Sequence, residues 1–368
     1  MIYNERENIM IEAKPHYFHP VRLLIQLYNG GKLTNVRSLN IEPEYGRVGR
    51  IFYKDGSVRM FSGVDFGINS HGSSSIAKDK GYAKYFLNSL GYNTPAGKVF
   101  LMPNCIKTID KNLAVYGFKD YSTINDIYSY INSTIGYPCI VKPNNGAKGV
   151  GVYKCFNDNN VRSVIEEYNK EYINILIVEK YIDLPAYRID VFRDEIICCY
   201  LRKPLSIIGD GKSTIGELLS NKIDGFIEEG RTISIKSDDP RIYNNLKRKN
   251  LNLNTVLSAD EDVVIHNCSN LSTGGETENF TEKINPYWKD LCVNLTKDMG
   301  LFLCGVDIFC ADIENSNAEY YSIHEINASP GLDYSTLGER QKDVVRKFYY
   351  NIFNESKIEH VNLSNIIN

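Results

Sequence analysis

Two short segments near the C-terminal end constrain this chain more than any other part of it. Gly305-Val306-Asp307-Ile308 and His324-Glu325-Ile326-Asn327-Ala328-Ser329-Pro330-Gly331 each set oxygen-bearing side chains into an apolar, strand-forming frame. Strand residues alternate between faces, so Glu325 and Asn327, two apart, share one side. An antiparallel neighbour carrying Asp307 completes a cluster of hard oxygen ligands. Such a set suits Mg²⁺, which takes few protein ligands and keeps waters and phosphate oxygens. Asp307 alone would be an ordinary acid at a strand end. The three together, with Pro330-Gly331 forcing a turn beside them, predict a metal site of Asp307, Glu325 and Asn327.

At 368 residues the chain is long enough for two or three domains, and an apolar share of 43% supports a sizeable core. A net charge of -3 and a pI near 6.1 argue against a broad nucleic-acid footprint. No stretch approaches the ~20 apolar residues of a membrane span, and Met1 to Glu7 holds no apolar signal core. The nine cysteines form no Cys-x-x-Cys pair, which reads as reduced thiols in a cytoplasmic protein. Neither nucleic acid nor membrane is expected as a partner, and a homodimer is the prior for assembly.

Residues 1–70 read as a β-rich segment, with Val21-Arg22-Leu23-Leu24-Ile25 and Ile51-Phe52-Tyr53 as apolar runs and Lys54-Asp55-Gly56-Ser57 as a turn. A helix from Ser75 to Leu90 follows, capped by serines 73–75, closed by Gly91 and buried through Tyr82, Tyr85, Phe86 and Leu90. It opens a linker region, 71–135. Residues 136–183 read as one αβ subdomain: strands at Cys139–Val141 and Val150–Tyr153, a helix through Val161, Val164, Ile165 and Tyr168, and a strand at Ile175–Val178. Residues 184–355 form a second, with strands at 187–192 and 196–201 joined by Arg193-Asp194. It continues with an amphipathic helix through Trp288, Leu291, Cys292, Leu295 and Met299, strands at 305–309 and 320–326, and a helix at 339–352. Within it, residues 209–262 are polar and read as a helical insertion or flap. Lys236, Arg241, Lys247, Arg248 and Lys249 there make either a solvated face or a basic lid over an anionic substrate. Residues 356–368 are a tail.

Two further motifs carry chemistry. Val141-Lys142-Pro143-Asn144-Asn145-Gly146-Ala147-Lys148-Gly149-Val150-Gly151-Val152 links two strands, and its glycines let backbone N–H groups approach phosphates. It matches neither the Walker nor the dinucleotide pattern. Val178-Glu179-Lys180-Tyr181-Ile182-Asp183 ends a buried strand whose edge can hydrogen-bond a purine.

The order of these elements resembles the ATP-grasp superfamily, in particular the ATP-grasp part of cyanophycin synthetase and the fused glutathione synthetases. The likeness covers roughly residues 75–335 and includes Ile208-Gly209-Asp210-Gly211-Lys212-Ser213-Thr214 and Asn270-Leu271-Ser272-Thr273-Gly274-Gly275. It implies an α+β or α/β fold in which two α+β subdomains clamp ATP, with the N-terminal segment outside. It also implies a ligase that phosphorylates a carboxylate with ATP and joins it to an amine, with two Mg²⁺ ions (or Mn²⁺) on the phosphates. The substrates would be amino acids or short peptides. In this likeness Lys80 and Lys142 touch ATP, and Gly146, Lys148 and Gly149 cover its phosphates. Glu179, Lys180, Tyr181, Ile182 and Asp183 form the adenine-reading hinge. Arg202 stabilises the transferred phosphoryl group, and Arg188 holds a substrate carboxylate or phosphate by a bidentate fork.

The sequence departs from this pattern at the hinge, where Ala186 stands in place of the acid expected to hold ribose hydroxyls and Asp183 is the nearest substitute. Before Asn270 the relatives show an arginine and then an asparagine. Here those positions are His266 and Cys268. A neutral histidine lacks the fixed charge of a guanidinium, so His266 is a candidate that acts protonated or cedes the role to Arg202. That change keeps two alternatives open: an ATP-binding regulatory pseudo-ligase, and a phosphotransferase that stops at the phosphorylated product.

Overall fold

The computed structural model describes residues 10–102, 122–146, 149–229, 231, 233–267, 269–316, 321–332 and 339–356. The N-terminal segment is a helix, α1 (His19–Asn29), followed by a meander of β1 (Val36–Ile41), β2 (Val48–Tyr53) and β3 (Val58–Ser62). The expected turn joins β2 to β3, where Asp55 accepts from the Ser57 N–H at 2.9 Å. Val21–Ile25, expected as a strand, lies in α1 instead. Pro20 sits in its first turn, pre-set for helix, and Val21, Leu24 and Ile25 are buried at helical spacing.

A single helix over Ser75–Leu90 gives way to two, α2 (His71–Lys78) and α3 (Lys80–Ser89), capped by Ser70 and Asp79. The restart at Asp79 turns the face. Ala83 and Leu87 are buried, whereas the expected stripe of Tyr82, Tyr85, Phe86 and Leu90 is exposed. Gly91, at φ 87°, does follow the helix end, as expected. Small Ala83 allows close approach to the main sheet and points Lys80 and Lys84, one turn apart, into the molecule.

The smaller subdomain is an antiparallel sheet ordered β4-β7-β5-β6, formed by β4 (Gly97–Leu101), β5 (Cys139–Pro143), β6 (Tyr153–Cys155) and β7 (Ile175–Lys180). It is backed by α4 (Ile124–Tyr130) and α5 (Asp158–Lys170), and all four expected core residues of α5 are buried. The strand expected from Val150 begins at Tyr153, because Gly149 and Gly151 both take positive φ and hold the chain in a turn.

The larger sheet is ordered β12-β9-β8-β13-β14 and is antiparallel throughout. Its strands are β8 (Ala186–Phe192), β9 (Glu195–Lys203), β12 (Glu276–Asn279), β13 (Leu303–Cys310) and β14 (Tyr321–Asn327). Period-two alternation divides its faces. Tyr187, Ile189, Val191, Cys304, Val306 and Ile308 pack against Trp288, Cys292 and Leu295 of α8 (Pro286–Asp298). Arg188, Asp190, Arg202 and Asp307 fall on the other face.

The insertion holds α6 (Ile215–Glu228) and α7 (Pro240–Arg248) around their own core, closed by the β10 (Ser206–Ile208) and β11 (Asp262–Val264) ladder. The N-terminal module shares a core with the large sheet: Tyr53, Phe61 and Phe66 meet Ile197, Tyr200 and Leu303, and Tyr349 and Phe353 of the last helix, α9 (Glu339–Asn354). Arg59 donates to the Ile352 carbonyl at 2.6 Å. Seven cysteines among the described residues are free and buried. No described helix is long and apolar enough to cross a membrane.

Candidate functional site

The polar face of the large sheet is the floor of the site. β13 and β14 pair so that Asp307 stands opposite Glu325 and Gly305 opposite Asn327. Asn327 Nδ2 donates to Asp307 Oδ2 at 3.2 Å, and with the register opposite Glu325 this sets the three expected metal ligands side by side. On its other side Asp307 faces Arg188 of β8. Arg188 Nη1 lies 3.0 and 3.1 Å from the two Asp307 oxygens, and Arg202 Nη1 is 3.0 Å from Oδ1. Burial disfavours the Asp307 charge, but Arg188 and Arg202 outweigh it and hold the carboxyl below its usual range. Arg188 also donates through Nε to fully buried Asp190 at 2.7 Å, and Cys198 donates to the other Asp190 oxygen at 3.1 Å. The expectation of an open fork at Arg188 is therefore corrected: its Nε and Nη1 are committed to two carboxylates. Gly305 makes this possible, since a Cβ there would lie 2.0 Å from Arg188 Nη2.

The opposite wall comes from α3, β5 and β7. Glu179 is buried, 2.7 Å from both Lys84 and Lys142. Burial opposes its charge, yet Lys142 and then Lys84 bring its pKa down to about 2. Burial, although Glu179 opposes it, lowers Lys84 below the usual lysine range. Glu179 thus orders two lysines from beneath. Lys80 spans the site: its Nζ is 2.9 Å from the Gly146 carbonyl and 3.4 Å from Glu325 Oε1. Half-buried His324, beside these groups, is pushed by desolvation and then Lys142 down to about 3, and is neutral near pH 7.

One open cleft of about 2080 Å³ gathers nearly all the sequence-derived candidates. Lys80, Lys142, Gly146, Gly149, Glu179, Lys180, Tyr181, Ile182, Arg188, Arg202, His266, Asp307, Glu325 and Asn327 all line it. Asp183 does not; it accepts from the Tyr181 hydroxyl at 3.1 Å. Lys148 and Cys268 lie outside the described residues. The Lys180 N–H is engaged with the Ala96 carbonyl at 2.8 Å, so hinge recognition through that donor is closed. The insertion covers the glycine loop: Arg241 Nη1 is 3.5 Å from the Gly149 carbonyl, and the Arg248 guanidinium lies 4.5 Å over the Phe156 ring. Lys84, His324 and Asp190 were missed from sequence. The i, i+4 spacing from Lys80 was the one available signal for Lys84.

The donor set fits a hard divalent cation. Asp307, Glu325 and Asn327 offer two carboxylates and an amide oxygen at the end of a cationic cleft. Among the described residues no group of three or more His, Cys, Asp or Glu side chains is placed to hold a metal ion, so this set relies on the Asn327 amide as its third donor. An open set of this kind leaves coordination positions for waters and phosphate oxygens.

Comparison with known proteins agrees with this geometry. A family model described as D-ala D-ala ligase C-terminus matches residues 114–204, and one described as RimK-like ATP-grasp domain matches residues 259–344. Cyanophycin synthetase from a Synechocystis strain is 30% identical over 219 residues, 56% of this chain and 24% of that protein. The glutathione biosynthesis bifunctional protein GshAB of Mannheimia succiniciproducens is 33% identical over 161 residues, 42% of this chain and 21% of that protein. The chain thus spans about a quarter of the length of these relatives. A crystal structure of a bifunctional glutathione synthetase from Pasteurella multocida superposes with a TM-score of 0.55 at 20% identity, over 91% of this chain and 43% of that one. The fold is shared, the matched segments hold the floor of the cleft and the β5–β7 part of its opposite wall, and the chain has the ATP-grasp fold.

Proposed function

We propose that the chain is an ATP-dependent carboxylate–amine ligase that forms an amide or peptide bond through an acyl phosphate, acting on amino acids or short peptides. The observation that carries this reading is the Asp307–Glu325–Asn327 group, held on paired strands between Arg202 on one side and Lys80 on the other. A carboxylate oxygen of the first substrate attacks the γ-phosphorus and ADP leaves. The amine nitrogen then attacks the acyl carbon, phosphate departs, and the amine loses a proton.

Each residue has a separate task. Lys142 and Lys80 place positive charge beside the phosphates, and the backbone at Gly146 and Gly149 closes over them. Ile182 offers the hinge N–H to adenine. Arg202 sits at the cleft surface of the Asp307 pair and stabilises charge on the transferred group. Arg188 acts as a positioning residue for Asp307. Asp307, Glu325 and Asn327 would hold Mg²⁺, which supplies charge neutralisation as the phosphoryl group moves. His266 lines the same cleft.

The test is to incubate the protein with Mg-ATP and panels of amino acids and dipeptides, following ADP and phosphate and searching for a new amide by mass spectrometry. Amide formed in step with ADP supports the reading. ATP bound but never turned over with any pair counts against it.

A further inference from the structure

The N-terminal module lies outside both matching family models, yet it walls one end of the cleft. Phe18, Arg22, Arg47 and Val64 line that end beside Gly331 and Leu332, which follow Asn327 in the chain. The cleft is short of free negative charge. Its acids among the described residues are Glu167, Glu179, Asp307 and Glu325. Glu167 accepts from the Tyr153 hydroxyl, and the other three are already held by lysine or arginine. Arg22 and Arg47 have no such carboxylate among the described residues, and the Arg22 Nε is buried without a hydrogen-bond partner.

Arg47 is held in place by packing. Gly46, at positive φ, lies flat on the Tyr17 ring, where a Cβ would come within 2.1 Å of it. The guanidinium that follows is 5.3 Å over the Phe18 ring. On its other side is Gly63, whose added Cβ would lie 3.3 Å from Arg47 Nη2. Phe18 caps the start of α1, and Arg22 in its first turn donates its backbone N–H to the Phe18 carbonyl at 3.0 Å. Two arginines thus line one end of the cleft, Arg47 ordered by aromatic and glycine contacts and Arg22 with an unused buried Nε donor, and guanidinium groups suit a planar oxyanion.

We propose that Arg22 and Arg47 form a subsite for a second oxyanion of the substrate, a remote carboxylate beyond the one that is activated. This rests on the ligase reading, and it names the substrate class as acidic amino acids or peptides with an acidic end.

The experiment is calorimetric titration of the full chain with L-glutamate and Glu-Glu against L-glutamine and Gln-Gln. O-phosphoserine serves as the phosphoryl arm. Each is read with and without a non-hydrolysable Mg-ATP analogue, in wild type, Arg22→Gln, Arg47→Gln and the double variant. The expected result is that the acidic ligands bind about tenfold or more tightly than their amides, the scale of one charge-assisted contact. That preference falls to about twofold in each single variant, while analogue affinity is unchanged. Tighter binding of O-phosphoserine than of glutamate, lost in the same variants, assigns the group as phosphoryl and keeps the subsite. No binding by any ligand, equal binding by acids and amides, or a preference that survives in the double variant overturns the proposal. Loss of analogue binding by wild type would fail the ligase reading instead, and the titrations without nucleotide still decide the subsite. Arg47 is exposed, so its variant reads the subsite even if Arg22→Gln folds poorly.

Discussion

Asp307 Oδ1 lies 3.0 Å from Arg202 Nη1, and its Oδ2 lies 3.0 Å from Arg188 Nη1. One carboxylate therefore serves as counter-ion to two arginines and as part of the candidate metal group. Of the two, Arg202 reaches the cleft surface, with 20% of its side chain exposed against 5% for Arg188. Arg202→Gln should lower kcat by roughly 10²–10³, the scale of losing one preorganised charge at the transferred group, with little change in KM for ATP. Steady-state kinetics with the preferred substrate pair reads the split. A rise in KM for ATP at constant kcat would move Arg202 out of that role.

Glu325 is partly exposed and is paired with Lys80 at 3.4 Å, so its removal separates chemistry from folding. Glu325→Gln should abolish ADP formation while Tm moves by only a few degrees. Asp307→Asn is the contrasting case. It leaves two arginines short of a buried partner and should cost about 3–5 kcal/mol of stability, read by denaturant unfolding.

Gly305→Ala should destabilise the large sheet by several kcal/mol. The added methyl would meet the Arg188 guanidinium at 2.0 Å, and that side chain is locked between Asp190 and Asp307. A thermal scan decides this. Wild-type Tm in the variant would show that Arg188 can move aside.

The Glu179 pair predicts an acid limb. Its folded pKa of about 2 is depressed from the ordinary glutamate value of 4.5. The stabilisation is fully present above the unfolded pKa, falls as pH drops from about 4.5 and is gone at about 2. Glu179→Gln should flatten that part of the stability–pH curve and cost about 3–5 kcal/mol at neutral pH, because Lys84 and Lys142 would lose their shared counter-ion. Urea midpoints measured between pH 3 and 7 in both proteins test it.

Much of the site was legible because strands report their own faces. The Glu325-x-Asn327 spacing and the Asp307 frame brought these side chains together, since period-two alternation leaves little freedom once β13 and β14 pair. Helix faces were less legible. Tyr82, Tyr85, Phe86 and Leu90 have the hydrophobicity of a core stripe, but Asp79 restarts the helix and turns Ala83 and Leu87 inward. Val21–Ile25 could pack as strand or helix, and Pro20 in the first turn decided for helix. What remained hidden was non-local. Nothing near Glu179 in sequence announces Lys84, and nothing near Arg188 shows that Gly305 on another strand makes room for it.

The central claim is that ATP activates a carboxylate as an acyl phosphate at the Asp307–Glu325–Asn327 end of the cleft. It is tested most directly by ¹⁸O transfer. The carboxylate substrate of the fastest amine pair is labelled in its carboxyl oxygens, and the phosphate released with Mg-ATP is analysed by mass spectrometry. Inorganic phosphate carrying one ¹⁸O atom per amide formed is the result predicted. Amide or ADP formed with unlabelled phosphate would contradict it.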